Sequence, residues 1–385
     1  MVVRHLKTGE QRVLLEGGTD ARYVPTGHLV YAVTGALFAV PFDVERVEVT
    51  GSAVPVFEDL MTAFAYTGAA PFAFSDNGNL VYVSGSVRGQ KIPGVVDRGG
   101  AATPFGEPGR GYSRPRLSPD GQQLAVAVGS AEAPDIWTFD LERDVMTRLT
   151  FEGGSRPLWM PDGSRIIYAS NQRGDYDIFQ TSVDGSGEVV QLTAGGYRIP
   201  ASISPDGNVL LFRQDRTNGM DIGMLRLDQE QNTEPTMLLD ESFDERSAVF
   251  SPNGKWIAYT SDESGQAEVY VRSFPGLRGR EQVSRNGGTE PLWKRDGTEL
   301  FFRADAKMMA VPTTFEPELS LGQPELLFEG PFERSSRDVE AQYDVATDGR
   351  FLMLLREEGQ AEETMRINVV LNWFEELKAR VPTEK

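Results

Sequence analysis

Arginine is the residue type for which a binding chemistry can be argued from this sequence. Five arginines stand five to nine residues before a glycine-containing turn that recurs along the chain: Arg22, Arg114, Arg156, Arg198 and Arg246. A guanidinium group donates several hydrogen bonds in a planar fork that matches a carboxylate or a phosphate. If the fold brings these side chains to one surface, that surface favours an anionic ligand. The opposing interpretation is that each arginine forms an ion pair with acids of the neighbouring repeats.

Catalytic chemistry finds little support in the residue types. The chain has two histidines, His5 and His28, and no cysteine. His28 follows one of the recurring turns and is interpreted as a polar hairpin residue. The sequence contains no Gly-x-Ser-x-Gly nucleophile elbow and no phosphate-binding or dinucleotide-binding glycine motif. We therefore predict a protein that is not an enzyme, with no catalytic residues, no metal and no cofactor.

The recurring aspartates raise the question of calcium. Asp120, Asp162, Asp206, Asp296 and Asp348 each precede a turn glycine, but they are spaced by more than 40 residues. A calcium loop needs several oxygen ligands within about a dozen residues, so these aspartates are predicted to stabilise turns. A second series begins equivalent strands and is also interpreted as structural: Asp135, Asp177, Asp221 and Glu268. The Arg173-Gly174-Asp175 tripeptide is interpreted as part of a hairpin rather than as an adhesion motif.

These residues are positioned by a repeat. The turn, often Pro-Asp-Gly, is followed each time by a short apolar run, and its copies end at Gly27, Gly78, Gly121, Gly163, Gly207, Gly254, Gly297 and Gly349. The spacings between successive glycines are 51, 43, 42, 44, 47, 43 and 52 residues. A period of about 40–50 residues with several strands in each unit is typical of a β-propeller. The fold class is therefore predicted to be all-β, built from four-stranded antiparallel blades.

One unit illustrates the predicted blade. An apolar segment leads to the turn at Gly163, and strands are predicted over 165–170, 177–183 and 189–193. Hairpin connections between such strands make one propeller blade. An apolar residue stands four positions before every repeat glycine, as expected where inner strands pack between blades: Tyr23, Phe74, Leu117, Trp159, Ile203, Phe250, Trp293 and Val345.

Eight turns predict eight blades, with seven as the alternative. The last blade has candidate strands over 350–356 and 367–373 and then a short helix over 374–381, so it lacks a fourth strand. We predict that residues 11–15 supply this outer strand and close the ring, which also removes an exposed sheet edge. Residues 2–6 are an alternative extra strand. The expected organisation is a single propeller domain over residues 1–385.

Composition excludes some partners. The chain of 385 residues has 57 acidic and 38 basic residues and a net charge of -19. A general nucleic-acid binder depends on Lys and Arg to neutralise phosphates, so no nucleic acid is expected. The apolar runs are too short to span a bilayer, and the N-terminal residues lack the apolar core of a signal peptide. We therefore expect no direct membrane insertion, and we expect a monomer.

The motifs resemble the TolB-like propeller repeat. The closest similarity is to the propeller region at the C-terminus of certain bacterial membrane-anchored serine/threonine kinases. It is carried by segments spread over most of the chain, among them 22–31, 37–43, 135–137, 148–151, 263–276 and 369–374. The resemblance implies a sensor or docking module on the extracytoplasmic side of a membrane. No glycine-rich nucleotide loop or His-Arg-Asp catalytic loop accompanies it here.

Repeat and resemblance together predict a non-catalytic binding module. The expected partner is a protein or peptide, or a small anionic ligand, held at a propeller face or at the mouth of the central channel. The alternative is a propeller enzyme, a lyase or hydrolase, with convergent acids, histidines or a metal in the central funnel. Because the turn residues belong to the frame, the positions six to ten before each repeat glycine are the ones predicted to carry function.

Overall fold

The structure is a computed structural model that describes residues 1–15, 17–33, 36–58, 60–61, 70–84, 91–107, 110–129, 134–217, 219–228, 234–334, 340–356 and 366–382. The chain divides into two compact units, one made of residues 1–89 and 358–385 and the other of residues 90–357. Each unit is described by itself. The predicted single domain over residues 1–385 stays a prediction.

The first unit begins with short antiparallel strands. Its N-terminal part contains β1 (Val2–Arg4), β2 (Gln11–Val13), β3 (Thr19–Val24), β4 (His28–Val33), β5 (Ala36–Asp43), β6 (Glu48–Val49), β7 (Val54–Glu58), β8 (Phe72–Phe74) and β9 (Leu80–Ser84). Strands β1 and β2 form a hairpin, and β3 to β7 form one sheet in which β7 pairs with β5.

The second unit contains six antiparallel sheets within its described residues, here called sheets I to VI. Sheet I has β12 (Ser113–Leu117), β13 (Gln123–Gly129), β14 (Pro134–Asp140) and β15 (Val145–Arg148). Sheet II has β16 (Ser155–Trp159), β17 (Arg165–Ser170), β18 (Asp177–Ser182) and β19 (Val190–Gln191). Sheet III has β20 (Arg198–Ile203), β21 (Val209–Arg216), β22 (Gly219–Arg226) and β23 (Thr236–Leu239).

The other three sheets follow the same plan. Sheet IV has β24 (Glu245–Phe250), β25 (Trp256–Ser261), β26 (Glu268–Ser273) and β27 (Glu281–Gln282). Sheet V has β28 (Thr289–Trp293), β29 (Glu299–Ala304), β30 (Lys307–Thr314), β31 (Ser320–Leu321) and β32 (Glu325–Glu329). Sheet VI combines β33 (Tyr343–Val345) and β34 (Phe351–Arg356) with β10 (Lys91–Val96) and β11 (Ala102–Pro104).

The six sheets close into a ring through apolar interfaces. Side chains alternate between the two faces of a strand, so each sheet presents one apolar face to each neighbour. In β34, Leu352 and Leu354 pack with sheet I, whereas Phe351 and Met353 pack with sheet V. Four further buried clusters join sheets I to V in succession. The innermost strands contact one another in the same cyclic order, which makes this unit a β-propeller ring.

The ring corrects two predictions. Sheet VI contacts sheet I directly, so this ring closes after six sheets instead of the predicted eight or seven. Its closing strands are β10 and β11, because Lys91 to Val96 pair with β34. The predicted closing segment over 11–15 is wrong, since Gln11–Val13 pairs with Val2–Arg4. The physical reason is that β10 extends over six residues of β34 with buried side chains, whereas β2 is exposed along its length.

The recurring carboxylates hold the frame as predicted. Asp162 accepts a hydrogen bond of 3.0 Å from the backbone N–H of Ser164, and Gly163 has a positive φ of 72°. Asp177, at the start of β18, accepts hydrogen bonds from the Thr193 hydroxyl at 3.2 Å and from the Gly195 N–H at 3.1 Å. Asp135 and Glu268 make the same connection in sheets I and IV, whereas Asp221 instead pairs with Arg216.

The C-terminal residues return to the first unit. Strand β35 (Arg366–Val370) pairs with β9, and the predicted helix is α1 (Trp373–Arg380). The buried side chains of Trp373 and Leu377 pack with Phe72 and Leu80. His28 is fully buried, and its Nε2 lies 2.7 Å from the carbonyl oxygen of Val381. His28 was predicted to be a polar hairpin residue; it begins β4 after the turn at Gly27, and this contact with the C-terminal segment was not predicted.

Candidate functional site

A repeated backbone irregularity marks the inner strands at one end of the ring. Seven residues before the repeat glycine, four of the six sheets of the ring have a non-glycine residue with positive φ: Arg114 (54°), Arg156 (57°), Ser247 (55°) and Glu290 (56°). In each case the pairing of the inner strand with the next strand shifts register around this residue. Left-handed backbone is costly for such residues and is often found at binding sites. The bulge therefore identifies a position at which the fold sets the direction of a polar side chain.

Three arginines from three sheets converge on one carboxylate. The Nε atoms of Arg114 in sheet I and Arg156 in sheet II each lie 3.1 Å from Oε2 of Glu340. Arg213, on β21 of sheet III, donates from Nη1 to Oε1 of the same carboxylate. Glu340 precedes β33 of sheet VI and is buried. We call these four residues the arginine–Glu340 cluster.

The topology places Glu340 at the centre of the ring. Sheet III lies opposite sheet VI in a closed ring of six, yet Arg213 reaches a residue that leads into sheet VI. Arg156 reaches the same carboxylate from sheet II, two sheets away. A group contacted from sheets I, II and III lies near the axis on which the inner strands face one another. The Glu340 carboxylate therefore occupies the central channel at the end opposite the Asp-Gly turns.

The positive and negative charges in and beside the arginine–Glu340 cluster do not balance. Burial would raise the pKa of Glu340, but the charges of Arg156, Arg213 and Arg114 outweigh it and hold the pKa well below its ordinary value. Burial and then the like charge of Arg156 lower the pKa of Arg114 to about 10. Arg213 also pairs with Asp215, with Nε 2.5 Å from Oδ1. Three guanidinium groups against two carboxylates leave one positive charge among these five residues.

Polar contacts extend from the cluster to sheet V. The backbone N–H of Arg114 donates to Oε1 of Gln342 at 3.2 Å, and the backbone N–H of Gln342 donates to Oε2 of Glu290 at 3.1 Å. The Tyr343 hydroxyl donates to the carbonyl oxygen of Glu290 at 2.8 Å. Burial and then the charge of Glu290 raise the pKa of Tyr343 well above its ordinary value. These bonds fix the segment that carries Glu340 against the inner strands.

Aromatic side chains lie beside the cationic groups. The guanidinium of Arg156 stands 5.5 Å from the ring centre of Tyr176, which packs edge-to-face with Tyr197 at 5.2 Å. Both rings are half-buried. Arginine next to tyrosine is a combination enriched in protein interfaces. Together with the excess positive charge, it makes this end of the channel suited to an acidic group carried by a larger molecule.

The predicted arginines do not all meet. Arg114 and Arg156 are brought together on Glu340. Arg22 belongs to the first unit, where it donates two hydrogen bonds to Asp20 at 3.1 and 3.0 Å. Arg198 stacks on Phe212, with 5.8 Å from guanidinium to ring centre. Arg246 lies 3.8 Å from a carboxylate oxygen of Asp244. The observed cluster therefore contains two of the five predicted residues.

Sequence reasoning missed Glu340 and Arg213. Glu340 stands nine residues before Gly349, within the window of six to ten positions that was predicted to carry function. Arg213 lies outside that window. The available signal was a charged residue in an apolar strand: six residues after the repeat glycine, other sheets have Ala127, Ala169, Thr260 and Leu355, whereas sheets III and V have Arg213 and Arg303.

Other kinds of site find no geometric support in the described part of the chain. No group of three or more His, Cys, Asp or Glu residues there is arranged to hold a metal ion. No described helix is long and apolar enough to cross a membrane. The tripeptide at 173–175 lies in a turn, where Arg173 donates to Oε1 of Gln191 at 2.6 Å.

Comparison with known proteins places the ring among characterised folds. Residues 70–288 match the model of the TolB β-propeller domain. Uncharacterized protein Atu1656 of Agrobacterium fabrum is 29% identical over 167 residues, which cover 41% of this chain and 54% of that protein. Uncharacterized peptidase YuxL of Bacillus subtilis is 27% identical over 183 residues, covering 45% of this chain and 26% of that protein. The chain thus spans about half, or less, of the length of these curated relatives.

A solved structure has the same architecture. The putative TolB from Agrobacterium tumefaciens matches with a TM-score of 0.56 and 16% identity, over 69% of this chain and 98% of that one. At this identity the likeness concerns the fold alone. Since the TolB β-propeller model covers more than half of the residues, including most of the closed ring of sheets, the chain belongs to the TolB β-propeller domain family.

Proposed function

We propose that the protein is a non-catalytic binding module that holds an anionic group of a protein segment or small ligand at the channel end formed by the arginine–Glu340 cluster. The observation that carries the proposal is the convergence of Arg114, Arg156 and Arg213 on the axis of the ring. Guanidinium groups in a partly dehydrated site bind carboxylates and phosphates with directional, charge-assisted hydrogen bonds.

Two further features support binding over a purely structural role. The four charged groups of the cluster, together with Asp215, retain one positive charge in a protein whose net charge is -19. Moreover, four sheets accept left-handed backbone at the position that carries Arg114 and Arg156, a cost of about 1 kcal/mol or more for each residue. A frame that needed only stability would be served by ordinary extended residues, as in most of the inner-strand positions.

The direct test measures binding of a fluorescein-labelled hexaglutamate peptide by fluorescence anisotropy. Replacing Arg114 and Arg156 by Ala should weaken binding at least tenfold, because each charge-assisted hydrogen bond contributes about 1.5–3 kcal/mol. Arg226→Ala is the matched control, since Arg226 is exposed and pairs only with Asp228 among the contacts seen. Equal affinities for the double variant and the control, with both proteins folded by circular dichroism, would contradict the proposal.

An enzymatic function is the alternative. YuxL is named a peptidase, but this chain covers 26% of it. The alternative would require a nucleophile or an acid–base pair at the channel, and the groups that meet there are guanidinium groups and a carboxylate whose pKa is held low. A carboxylate that stays ionised is a weak general acid near neutral pH. The cluster therefore favours binding over proton transfer.

The resemblance to kinase-associated propellers suggests how binding is used. We propose that the module acts as the sensor or docking part of a signalling protein, with any catalytic activity on another polypeptide or region. The support for this step is the similarity of motifs such as those at 263–276 and 369–374. A phosphorylation assay with a candidate kinase, in the presence and absence of the module, tests it; unchanged phosphorylation at saturating module would contradict it.

A further inference from the structure

We infer that Glu340 is an internal substitute for the ligand, and that a carboxylate of the binding partner displaces it from the three arginines. The inference rests on the proposed function, since it names the chemical group that the same site accepts. It begins from the fact that Glu340 is not part of a strand: it lies in the connection between β32 and β33. Its side chain reaches the axis of the ring, where it contacts Arg114, Arg156 and Arg213.

The contacts of Glu340 are those expected of a bound carboxylate. Oε2 accepts from Nε of both Arg114 and Arg156, and Oε1 accepts from Arg213. Each of these arginines comes from an inner or second strand of a different sheet, so the receptor half of the contact belongs to the rigid ring. The acid is the element contributed by a connecting segment. The arginines that bind the carboxylate lie on strands, whereas Glu340 lies in a connecting segment. This is the arrangement expected of a preformed binding site that is occupied by a group of the same chain.

Two of the three arginines have side-chain contacts that do not depend on Glu340. Arg213 is also oriented by Asp215, and Arg156 donates from Nη1 to the Ser155 hydroxyl at 3.3 Å and faces the ring of Tyr176. The backbone of Arg114 is set by its left-handed conformation, and its guanidinium contacts Glu340 itself. The guanidinium groups of Arg156 and Arg213 would therefore keep their arrangement when the acid between them is exchanged. Preorganisation of this kind favours replacement of one carboxylate by another.

The geometry selects a carboxylate as the ligand group. The site offers two Nε donors to one oxygen and one Nη1 donor to the other, which a planar carboxylate satisfies with its two oxygens. Glu340 remains ionised because the arginines hold its pKa well below its ordinary value. Protonation therefore does not empty the site, and the competing carboxylate must displace an ionised group. The carboxylate can be carried by an acidic peptide or by a free small dicarboxylate.

The experiment compares four proteins by anisotropy of fluorescein-labelled hexaglutamate at constant ionic strength. They are the wild type, Glu340→Gln, the control Glu329→Gln and the double variant Glu340→Gln with Arg156→Ala. Glu329 is exposed on β32, so its substitution removes the same charge away from the cluster. We expect Glu340→Gln to bind at least tenfold more tightly than the wild type and the control. The double variant should lose this gain, because the arginines supply it.

Competition with succinate identifies the source of the carboxylate. If succinate displaces the peptide at a concentration close to that of the protein's binding sites, the natural ligand is a free dicarboxylate. Displacement only by unlabelled hexaglutamate supports an acidic chain. If Glu340→Gln binds no better than Glu329→Gln, while the double variant Glu340→Gln with Arg156→Ala does not bind, the displacement is refuted and the proposed function stands. If none of the four proteins binds the peptide, both are refuted.

A second measurement covers the possibility that the uncompensated arginines destabilise Glu340→Gln. In Glu340→Ala the missing side chain leaves room for acetate between the guanidinium groups. Sodium acetate should then raise the melting temperature of Glu340→Ala by several degrees relative to sodium chloride of equal ionic strength, and leave that of the wild type unchanged. Equal melting temperatures of Glu340→Ala in the two salts would overturn the inference.

Discussion

Arg295 is expected to tie sheet V to sheet I across sheet VI. The fifth Asp-Gly turn of the ring has Arg where four other turns have Pro. Its Nη1 donates to the carbonyl oxygen of Pro119 at 2.6 Å, and its Nη2 donates to those of Ser118 at 3.0 Å and Leu117 at 3.2 Å. These oxygens belong to the turn and inner strand of sheet I. The side chain thus bridges the two sheets that flank the closing sheet.

The magnitude follows from these three contacts. A hydrogen bond from a charged donor contributes about 1–1.5 kcal/mol in a half-exposed setting, and ordering an arginine costs about 2 kcal/mol. We therefore expect Arg295→Ala to lower the free energy of unfolding by about 2 kcal/mol. For a unit of this size, each kcal/mol corresponds to about 2–4 °C in melting temperature. The second unit should melt about 4–8 °C lower by differential scanning calorimetry.

The variant Arg295→Pro distinguishes the contribution of the bridge between sheets V and I from that of the turn itself. Proline restores the residue found in the other turns and by itself would stabilise by about 0.4–1 kcal/mol through the unfolded chain. If Arg295 serves only the turn, the Pro variant melts at or above the wild-type temperature, and the bridging argument is refuted. If the bridge operates, the Pro variant melts several degrees lower. Arg350→Ala, at an exposed arginine paired with Asp348, is the control and should change the free energy by less than about 0.5 kcal/mol.

Three other outcomes test the frame. Asp177→Ala removes the acceptor of Thr193 and Gly195 and should destabilise the protein by about 2 kcal/mol in thermal melts. Burial lowers the pKa of His28 below its ordinary 6.5, and its backbone hydrogen bond only partly opposes this shift. Because the unfolded chain then takes up a proton at a higher pH than the folded protein, the stability that is present above pH 6.5 is lost as the pH falls. His28→Gln should reduce the decrease in the free energy of unfolding by urea between pH 7.5 and 5.5. An unchanged pH dependence of this free energy would show that His28 does not cause the decrease. Met353→Ala, at a fully buried residue between sheets V and VI, should cost about 2–5 kcal/mol by chemical denaturation.

The local frame could be predicted from the sequence because its signals are local. The strand predicted over 165–170 is observed with the same bounds, and the helix predicted over 374–381 is shifted by one residue. Turn aspartates, turn glycines and alternating apolar residues each act within a few positions. Ring closure, in contrast, is determined by contacts between residues that are far apart in the sequence. Several short apolar strands were compatible with the vacant edge of β34, and the pairing of β10 with it depends on contacts across more than 250 residues.

The arginine–Glu340 cluster was only partly predictable for the same reason. Arg114 and Arg156 share one position in the repeat, so their common direction could be inferred. Their partner Glu340 is 226 and 184 residues away in sequence and lies in a connection without repeat character. Arg213 was hidden because an arginine in an apolar strand resembles an exposed edge residue until its burial is known. Closure after six sheets, rather than eight, is what brings sheets III and VI opposite each other.

The left-handed inner-strand position explains how one frame can carry a specific site. Arg114, Arg156, Ser247 and Glu290 share the same backbone irregularity but have cationic, neutral and anionic side chains. Because the turn seven residues later and the apolar contacts between sheets stabilise the frame, this position can change side chain without losing the fold. At this position the two arginines stand on adjacent sheets and the acid Glu290 stands on sheet V, so the charge that this position contributes differs from one side of the channel to the other. An asymmetric field inside a repeated frame would orient the anionic ligand that we propose, which a symmetric ring of identical residues would not do.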